Sequence, residues 1–249
     1  MYLNQKISLI IPTKNEEKNL LRLLAEVPNF IDETIVVDAS SVDGTFDLAL
    51  KSNKVTLALK QKGLGKGSAL CLGCQEATGD YIICMDSDGS MSPKEFQVIL
   101  DKLISNNADI VKGSRYLEGA GSDDLSMFRS TGNRFLLYLT KLLYKCNWTE
   151  LAYGFFALKS STVSKLDLNE FEAKVSSRYF FTKLAYGQGF EIEAVIFCRA
   201  LRRNLKVLEF PSHETMRWNG TSNLKAIPDG FRILSAIILE RLRSERRFS

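Results

Sequence analysis

The stretch GDYIICMDSDG at residues 79–89 decides the fold of this 249-residue chain. Its apolar centre, residues 81–85, is short and bounded by turn-forming residues, which predicts a buried strand. Asp86 and Asp88 follow that strand directly, with one small residue between them. Side chains two positions apart on an extended segment point the same way, so both carboxylates can bind one ligand. Such a pair suits Mg²⁺ or Mn²⁺ held jointly with substrate phosphates, whereas a solvated turn explains the motif when it is taken alone.

The composition is that of a globular protein with a large core, since 45% of the residues are hydrophobic and 25% are charged. A formal net charge of +4 is mildly basic, which fits anionic substrates or an anionic membrane surface. The sequence has neither an arginine–aromatic array nor zinc-finger spacing, so we expect no nucleic-acid partner. The five scattered cysteines are odd in number, as is typical of a reducing compartment.

The sequence also bears on membranes and metals. Residues 1–6 lead straight into the first apolar run without the apolar core of a signal peptide. No segment reaches the roughly 18 uncharged apolar residues that span a bilayer. We therefore expect a cytoplasmic protein, either free or attached peripherally to the cytoplasmic membrane face. Cys71 and Cys74 form C-x-x-C in a predicted helix without a second pair, and the single His213 excludes a multi-histidine metal site.

Apolar runs, polar loops and amphipathic segments alternate four times in the first 90 residues. This alternation predicts a doubly wound, mostly parallel sheet. Sheets of this kind bind ligands beyond the carboxyl ends of their strands. Asn15, Asp38, Lys66 and Asp86 follow strand ends or lie in adjacent loops, so we expect them to converge on one crevice. The four predicted strands are residues 7–11, 34–37, 55–59 and 81–85.

A glycine-rich loop, KGLGKG at residues 62–67, precedes the third predicted helix. It is not a Walker loop, because Lys60 stands where the first glycine of that motif is required. It is not a dinucleotide fingerprint either, because Ser68 stands where the last glycine is required. The loop can still offer backbone N–H groups and the Lys66 ammonium to a phosphate.

The second half contains two predicted helices with large apolar surfaces. Residues 128–143 are apolar on more than one face, so this helix is buried or faces an apolar phase. Residues 224–249 form a helix with one apolar stripe and arginines in its last turns. Packing on the core explains the stripe, and docking to anionic lipid is the alternative. Further predicted elements are a helix from Pro93 to residue 104, a strand at 109–112, an aromatic strand after Glu150, a mainly helical segment at 176–204 and a last strand at 206–209.

Taken in order, the motifs resemble those of the inverting glycosyltransferases of family two, which have the glycosyltransferase-A fold. The first half carries IPTKNEEKN at 11–19, VVD at 36–38, DGT at 43–45, GLGKG at 63–67, GDYIICMDSD at 79–88 and GSRY at 113–116. The second half is similar to the polyprenyl-phosphate sugar transferases of the dolichol-phosphate mannose synthase group. It carries GNRF at 132–135, TELAYGF at 149–155, GFEIE at 189–193 and RWNGTSNL at 217–224.

The resemblance implies one α/β domain over residues 1–249, with a Rossmann-like, mostly parallel mixed sheet flanked by helices. Residues 1–112 would form the nucleotide-sugar-binding half and residues 113–223 the acceptor-side half. Residues 224–249 would form a C-terminal amphipathic helix. Three departures from the family pattern are VDASS at 37–41, which lacks a second loop acid, Glu150 in place of the usual aspartate, and no C-terminal transmembrane helices.

The resemblance also implies site residues. Asp86 and Asp88 would hold Mg²⁺ or Mn²⁺ and offset the charge of the leaving nucleotide, with Asp88 counted as catalytic. Lys66 and Arg217 would contact phosphate, Arg217 from a C-terminal loop that closes over the donor and is shaped by Ser222. The residues implied to line the nucleotide pocket are Pro12, Thr13, Asn15 and Glu16, with Asp38 accepting a hydrogen bond from the base or ribose.

Glu150 stands where the family carries an acid proposed as general base. A hydroxyl acceptor must lose its proton, whereas a phosphate acceptor with a second pKa of about 6 arrives largely ionised. Glu150 therefore matters most for an alcohol acceptor. Its alternatives are to position a lipid phosphate, or to be a surface acid before a strand.

The implied reaction is metal-dependent, inverting transfer of a sugar from a UDP- or GDP-linked donor to a polyprenyl phosphate. A growing glycan or a small soluble molecule is the alternative acceptor. A nucleotidyltransferase would need an N-terminal GGxGxR loop, and residues 11–19 contain no glycine. A non-catalytic nucleotide-sugar-binding module is the third alternative, against which the retained metal acids, Glu150 and Arg217 argue. With a lipid acceptor, the tail helix or the helix at 128–143 must meet the membrane.

Overall fold

The computed structural model describes residues 1–168 and 186–243. Its centre is a seven-stranded sheet, and a separate two-stranded sheet lies beside it. The strands of the described residues are β1 (Ile7–Thr13), β2 (Glu33–Asp38), β3 (Leu57–Lys60), β4 (Tyr81–Cys84), β5 (Ile110–Ser114), β6 (Gly121–Ser122), β7 (Phe156–Lys159), β8 (Val207–Pro211) and β9 (His213–Glu214).

The strand order in the central sheet is β3-β2-β1-β4-β7-β5-β8. The strands β3, β2, β1 and β4 pair in parallel, as do β5 and β8, whereas β7 runs antiparallel to β4 and β5. The carboxyl ends of the parallel strands therefore meet at one edge, and β7 begins at that same edge. The predicted mostly parallel mixed sheet is confirmed.

Helices cover both faces of the sheet. A 3₁₀ turn at Pro93–Glu95 leads into the fourth helix. The helices are α1 (Glu17–Glu26), α2 (Thr45–Lys51), α3 (Gly65–Glu76), α4 (Phe96–Ser105), α5 (Met127–Tyr144), α6 (Ser160–Lys165), α7 (Ile192–Arg202) and α8 (Ala226–Leu242). Of the segment predicted as helical at 176–204, residues 176–185 lie outside the described residues, as do Arg246 and Arg247 of the tail.

The core has one layer on each side of the sheet. All seven residues of β1 and all six of β2 are buried, which explains why they read as continuous rather than alternating apolar runs. On one side α1 and α4 pack around a trio of rings, with Phe155 at 6.0 Å from Phe96 and 5.6 Å from Phe210 between ring centroids. On the other side α3, α5, α7 and α8 pack around Phe197 and Trp148, whose ring centroids are 6.0 Å apart.

The glycine-rich segment differs from its prediction as a loop. Helix α3 begins at Gly65, so Lys66 lies in the first helical turn. The reason is close packing: the Gly67 N–H donates to the Gln188 carbonyl at 2.8 Å, and a Cβ at Gly67 would clash with the Gly187 carbonyl. The glycines thus allow two backbones to approach each other, and they carry Lys66 inward.

Helices α5 and α8 keep much of their apolar surface exposed. On α5 only Leu136 and Thr140 are buried, while Phe135 and Tyr138 are exposed. On α8 Phe231 is likewise exposed. Among the described residues, no helix is both long and apolar enough to cross a membrane.

Candidate active site

Both acids of the Asp-x-Asp motif lie in the loop that follows β4, at the carboxyl edge of the sheet. Asp88 Oδ1 accepts hydrogen bonds from the Ser90 N–H at 3.0 Å and the Ser90 hydroxyl at 2.8 Å. Asp88 Oδ2 accepts a hydrogen bond from Arg217 Nη2 at 2.8 Å. Burial opposes ionisation of Asp88, but the bonds from Arg217 and Ser90 outweigh it and lower its pKa. Asp88 is therefore a fixed, charged carboxylate.

The other acid, Asp86, pairs with Lys66. The Lys66 Nζ lies 2.6 Å from Asp86 Oδ1 and 2.7 Å from Glu193 Oε1, on the first turn of α7. Burial acts to lower the pKa of Lys66, but Asp86 and Glu193 outweigh it and raise the pKa, so the ammonium stays charged. Lys66 thus lies beneath Asp86, held between two carboxylates.

Gly154 makes room for this cluster. Because β7 runs antiparallel to β4, the residues that precede β7 lie beside the end of β4. A Cβ at Gly154 would clash with Lys66 Nζ and would stand 3.0 Å from Asp86 Oδ2. Any side chain at this position would push the ammonium away from the acids.

Arg217 joins the acid loop to α1. Its Nη2 also lies 3.5 Å from Glu16 Oε1, and Glu16 accepts a further hydrogen bond from Asn19. Burial raises the pKa of Glu16, and the Asn19 bond and the Arg217 charge offset this only in part. The Arg217 Nη1 atom is buried and finds no acceptor in the part of the chain that the structure describes. A buried donor without an acceptor is costly, so this atom fits an anionic ligand.

The segment at 215–219 holds Arg217 in place across the acid loop. The Trp218 N–H donates to the Asp88 carbonyl at 3.1 Å. The Trp218 ring lies so close to Gly89, whose φ is +82°, that a Cβ there would clash with it. On α1, the Arg22 guanidinium lies 4.0 Å from the centre of the same ring. Ser222 is exposed, and its hydroxyl accepts a hydrogen bond from the Leu224 N–H at 3.2 Å.

A second group of polar atoms lies at the ends of β1, β2 and β3. Asp38 is 1% exposed, and its Oδ2 accepts a hydrogen bond from the Ser41 N–H at 3.0 Å. Three further buried oxygens have no hydrogen-bond partner within residues 1–168 or 186–243: Asp38 Oδ1, Thr13 Oγ1 and Gln61 Oε1. Such acceptors fit the N–H and O–H donors of a nucleoside.

Asn15 and Pro12 have supporting positions at the same edge. Asn15 has a positive φ of 56°, and its Oδ1 accepts a hydrogen bond from the Val42 N–H at 2.8 Å. Its own N–H donates to the Ser41 hydroxyl, also at 2.8 Å, so Asn15 ties the loops after β1 and β2 together. Pro12 is buried in β1 next to Val37.

Glu150 is buried, with 2% of its surface exposed. Its Oε2 accepts a hydrogen bond from Arg115 Nε at 2.8 Å, and its Oε1 accepts from the N–H groups of Leu151 and Ala152 at 3.1 and 3.2 Å. Arg115 also donates to Glu214 at 3.0 Å. The interpretation of Glu150 as a surface acid is therefore wrong.

The charge of the site fits one divalent cation. Glu16, Asp86, Asp88 and Glu193 stand against two cations, Lys66 and Arg217, so the acids of the cluster outnumber its cations by two. Across the described ranges there is no cluster of three or more His, Cys, Asp or Glu that could hold a metal alone. Two carboxylates suffice for Mg²⁺ or Mn²⁺ when phosphate and water supply the other ligands.

Sequence reasoning did not single out several residues of this cluster. Glu193 lies within the GFEIE motif at the start of a helix. Nothing in that motif indicates that Glu193 lies near Asp86, which is more than 100 residues away in the chain. Gly154 and Trp218 likewise stood in motifs without a role. The sequence could have marked Glu193 only as an acid in the otherwise apolar first part of a helix, IEAVIF at 192–197.

A Rossmann-like mixed sheet with an Asp-x-Asp loop at its carboxyl edge defines the glycosyltransferase-A class of folds. This class is confirmed by glucosyl-3-phosphoglycerate synthase from Mycobacterium tuberculosis, which superposes with a TM-score of 0.72 at 16% identity over 98% of this chain and 82% of that one. The same enzyme in complex with Mn²⁺, uridine diphosphate and glucosyl-3-phosphoglycerate superposes with a TM-score of 0.70 at 18% identity, over 96% and 80% of the two chains.

The chain belongs to glycosyl transferase family 2, whose model matches residues 8–166. It is 30% identical over 232 residues to a dolichol-phosphate mannosyltransferase from Pyrococcus furiosus, a match that covers 86% of this chain and 65% of the relative. It is 33% identical over 133 residues to a dolichyl-phosphate beta-glucosyltransferase from Trichomonas vaginalis, covering 45% of this chain and 40% of the relative. The chain thus spans less than two thirds of the length of either relative.

Proposed function

We propose that this protein transfers a sugar, with inversion, from a UDP- or GDP-linked donor to a polyprenyl phosphate and uses Mg²⁺ or Mn²⁺. The observation that carries the proposal is the acid pair at the carboxyl edge, which belongs to a cluster whose acids outnumber its cations by two. Asp86 and Asp88 would hold the ion, which when bound offsets the charge of the departing diphosphate.

The protein's own groups would hold the rest of the donor. Arg217 would donate from its buried Nη1 to a phosphate oxygen, which supplies the acceptor that this atom lacks. Thr13 and Asp38 would accept hydrogen bonds from the base or ribose through their buried oxygens. Pro12, Asn15 and Glu16 would shape this pocket, within the nucleotide-sugar-binding half at residues 1–112.

Glu150 would act on the acceptor side, within residues 113–223. A phosphate acceptor needs no base, because it arrives largely ionised. The bonds from Arg115 and two backbone N–H groups hold the Glu150 carboxylate in one orientation. For a polyprenyl phosphate we therefore assign Glu150 a positioning role, and for an alcohol acceptor the role of general base.

Two observations support a lipid acceptor. The two relatives are a dolichol-phosphate mannosyltransferase and a dolichyl-phosphate beta-glucosyltransferase, and the surface of α5 and α8 suits a membrane. These helices touch, since the Tyr144 hydroxyl donates to the Ile237 carbonyl at 2.8 Å. Helix α5 contains no acidic residue, and both acids of α8, Asp229 and Glu240, are buried. Apolar side chains and basic groups therefore dominate this surface, as suits peripheral docking on an anionic membrane. Its exposed apolar residues are Met127, Phe128, Phe135, Tyr138, Leu142, Ile227, Phe231, Ile238, Leu239 and Leu242.

The test is a transfer assay with purified protein, Mn²⁺, labelled UDP- and GDP-sugars and a short polyprenyl phosphate in detergent. We expect labelled lipid that depends on Mn²⁺ and is absent when polyprenol replaces its phosphate. Product formed with glycerol phosphates but not with the lipid would favour a small soluble acceptor. Donor binding without transfer or donor hydrolysis would contradict the proposal and favour a binding module.

Asp88→Ala is the matched inactive variant for this assay. It removes one of two ligands for the ion and the partner of Arg217, so we expect transfer to fall at least about 100-fold. The circular-dichroism spectrum should stay that of the wild type, because Asp88 lies in a loop outside the core. Normal transfer by a folded Asp88→Ala protein would exclude the metal-binding role of Asp88.

A further inference from the structure

Glu193 is the member of the acid cluster that lies deepest. It belongs to helix α7, whereas the other acids lie in loops or at the start of α1. Its side chain is 5% exposed and that of Lys66 is 10% exposed, while Asp86 on the other side of the ammonium is 29% exposed. Of these three groups, Asp86 therefore has the greatest access to a ligand in the crevice.

We propose that Glu193 is a positioning residue that shares the Lys66 ammonium with Asp86, so that the ammonium orients the Asp86 carboxylate for a divalent cation without neutralising the cluster. If Lys66 served Asp86 alone, the two charges would cancel and Asp86 would attract a cation poorly. Because Glu193 takes part of the ammonium's charge, the shared cluster stays negative. The inference rests on the proposed function, since it concerns the metal-binding role of Asp86.

Two sides of the Lys66 ammonium are closed by described residues. The clash of a Cβ at Gly154 shows how tightly the segment before β7 closes one side of the ammonium. The Phe190 ring centre lies 5.9 Å from Nζ on another side. Within the described residues, the ion pairs of this ammonium are those with Asp86 and Glu193.

Stability alone does not require an acid at position 193. Removing a carboxylate and an ammonium from water is costly, and apolar side chains in place of a buried ion pair are often neutral or stabilising. Burial also raises the pKa of Glu193, and the charge of Asp86 raises it further, although Lys66 opposes both. A buried Glu193, present in spite of this desolvation cost, fits a role in the neighbouring Asp-x-Asp site.

The first test measures Mn²⁺ binding directly, by the electron paramagnetic resonance signal of free Mn²⁺, with UDP or GDP present. Glu193→Gln gives Lys66 wholly to Asp86, so we expect the Mn²⁺ Kd to rise about tenfold. Glu240→Gln is the matched control, because Glu240 is an equally buried acid that pairs with Arg199 of the same helix at 2.9 Å. It should leave the Mn²⁺ Kd unchanged.

The second test asks whether Glu193 acts through Lys66. In a Lys66→Met protein the link is gone, so adding Glu193→Gln should change the Mn²⁺ Kd little, as a double-mutant cycle would report. Glu193→Asp keeps the charge one methylene further from Lys66 and should show a smaller rise than Glu193→Gln. This variant also serves if the glutamine variant does not fold.

The outcomes separate the inference from the proposed function. Wild-type protein that binds Mn²⁺ while Glu193→Gln binds it equally well would overturn the inference alone. An equal loss from Glu193→Gln in the wild-type and Lys66→Met proteins would also overturn it, because Glu193 would then act through space. A wild type that binds no Mn²⁺ with either nucleotide would overturn the metal-binding role of Asp86 and, with it, the inference.

Discussion

At the scale of single residues, one absent side chain decides how Lys66 meets the acids. Gly154 leaves the space that the ammonium fills, and its φ lies outside the left-handed region, so alanine is excluded only by the clash. We expect Gly154→Ala to lower the free energy of unfolding by about 1–3 kcal/mol and to weaken Mn²⁺ binding. Urea unfolding and Mn²⁺ titration measure the two effects.

Gly132 supplies the control for that change. It lies inside α5, and a Cβ there would have no neighbour within 4 Å. Gly132→Ala should therefore raise the free energy of unfolding, by up to about 1 kcal/mol, through the helix propensity of alanine. If the two substitutions changed the free energy of unfolding and Mn²⁺ binding equally, the missing side chain at Gly154 would not be what allows Lys66 to meet the acids.

At the scale of elements, Glu33 links β1 and β2 to the segment that precedes β4. Its carboxylate accepts hydrogen bonds from the Ser8 hydroxyl and from the Thr78 N–H and hydroxyl, the latter two at 2.9 Å. Burial opposes ionisation, but the bonds from Ser8 and Thr78 outweigh it and lower the pKa of Glu33. A carboxyl whose folded pKa is lowered stabilises the protein above its unfolded pKa, and this stability is lost as pH falls through the folded pKa.

Glu33→Gln should therefore lower the free energy of unfolding at pH 7, by about 2 kcal/mol, and by less in acid. Urea unfolding at pH 7 and at about pH 3, below the ordinary pKa of the carboxyl, measures both. Glu26→Gln is the control, since this exposed acid of α1 pairs, among the residues that the structure describes, with Arg22 alone, at 3.4 Å. The same loss at both pH values would show that the charge of Glu33 does not contribute.

At the scale of the whole molecule, α5 and α8 present an apolar and basic surface on one side of the sheet. Phe135 is 57% exposed and Phe231 is 66% exposed, one on each helix. We expect Phe135→Glu and Phe231→Glu each to reduce flotation with phosphatidylglycerol vesicles at least about tenfold, because a carboxylate would have to enter the interface. The thermal unfolding midpoint should stay near that of the wild type.

Val98 offers the control for membrane docking. It is an exposed apolar residue of α4, which packs on the opposite side of the sheet from α5 and α8. Val98→Glu should leave flotation unchanged. Unchanged flotation of the two phenylalanine variants would contradict membrane docking by the α5–α8 surface.

Sequence alone determined the sheet and the place of the acid pair. Continuous apolar runs such as β1 and β2 identify strands buried on both faces, and the carboxyl ends of parallel strands meet at one edge. The position of Asp86 and Asp88 follows from this rule, because it depends only on where a strand ends. Local pattern is enough for such features, since they arise from neighbours in the chain.

Only the tertiary structure decided which charges meet. Lys66, Asp86 and Glu193 lie far apart in the chain, and Arg217 reaches Asp88 from a segment near its end. Whether Lys66 would contact a ligand or an internal acid depends on the space left at Gly154 and on the backbone contact between Gly67 and Gln188. Those are distances between elements, and a hydrophobic pattern carries no information about them.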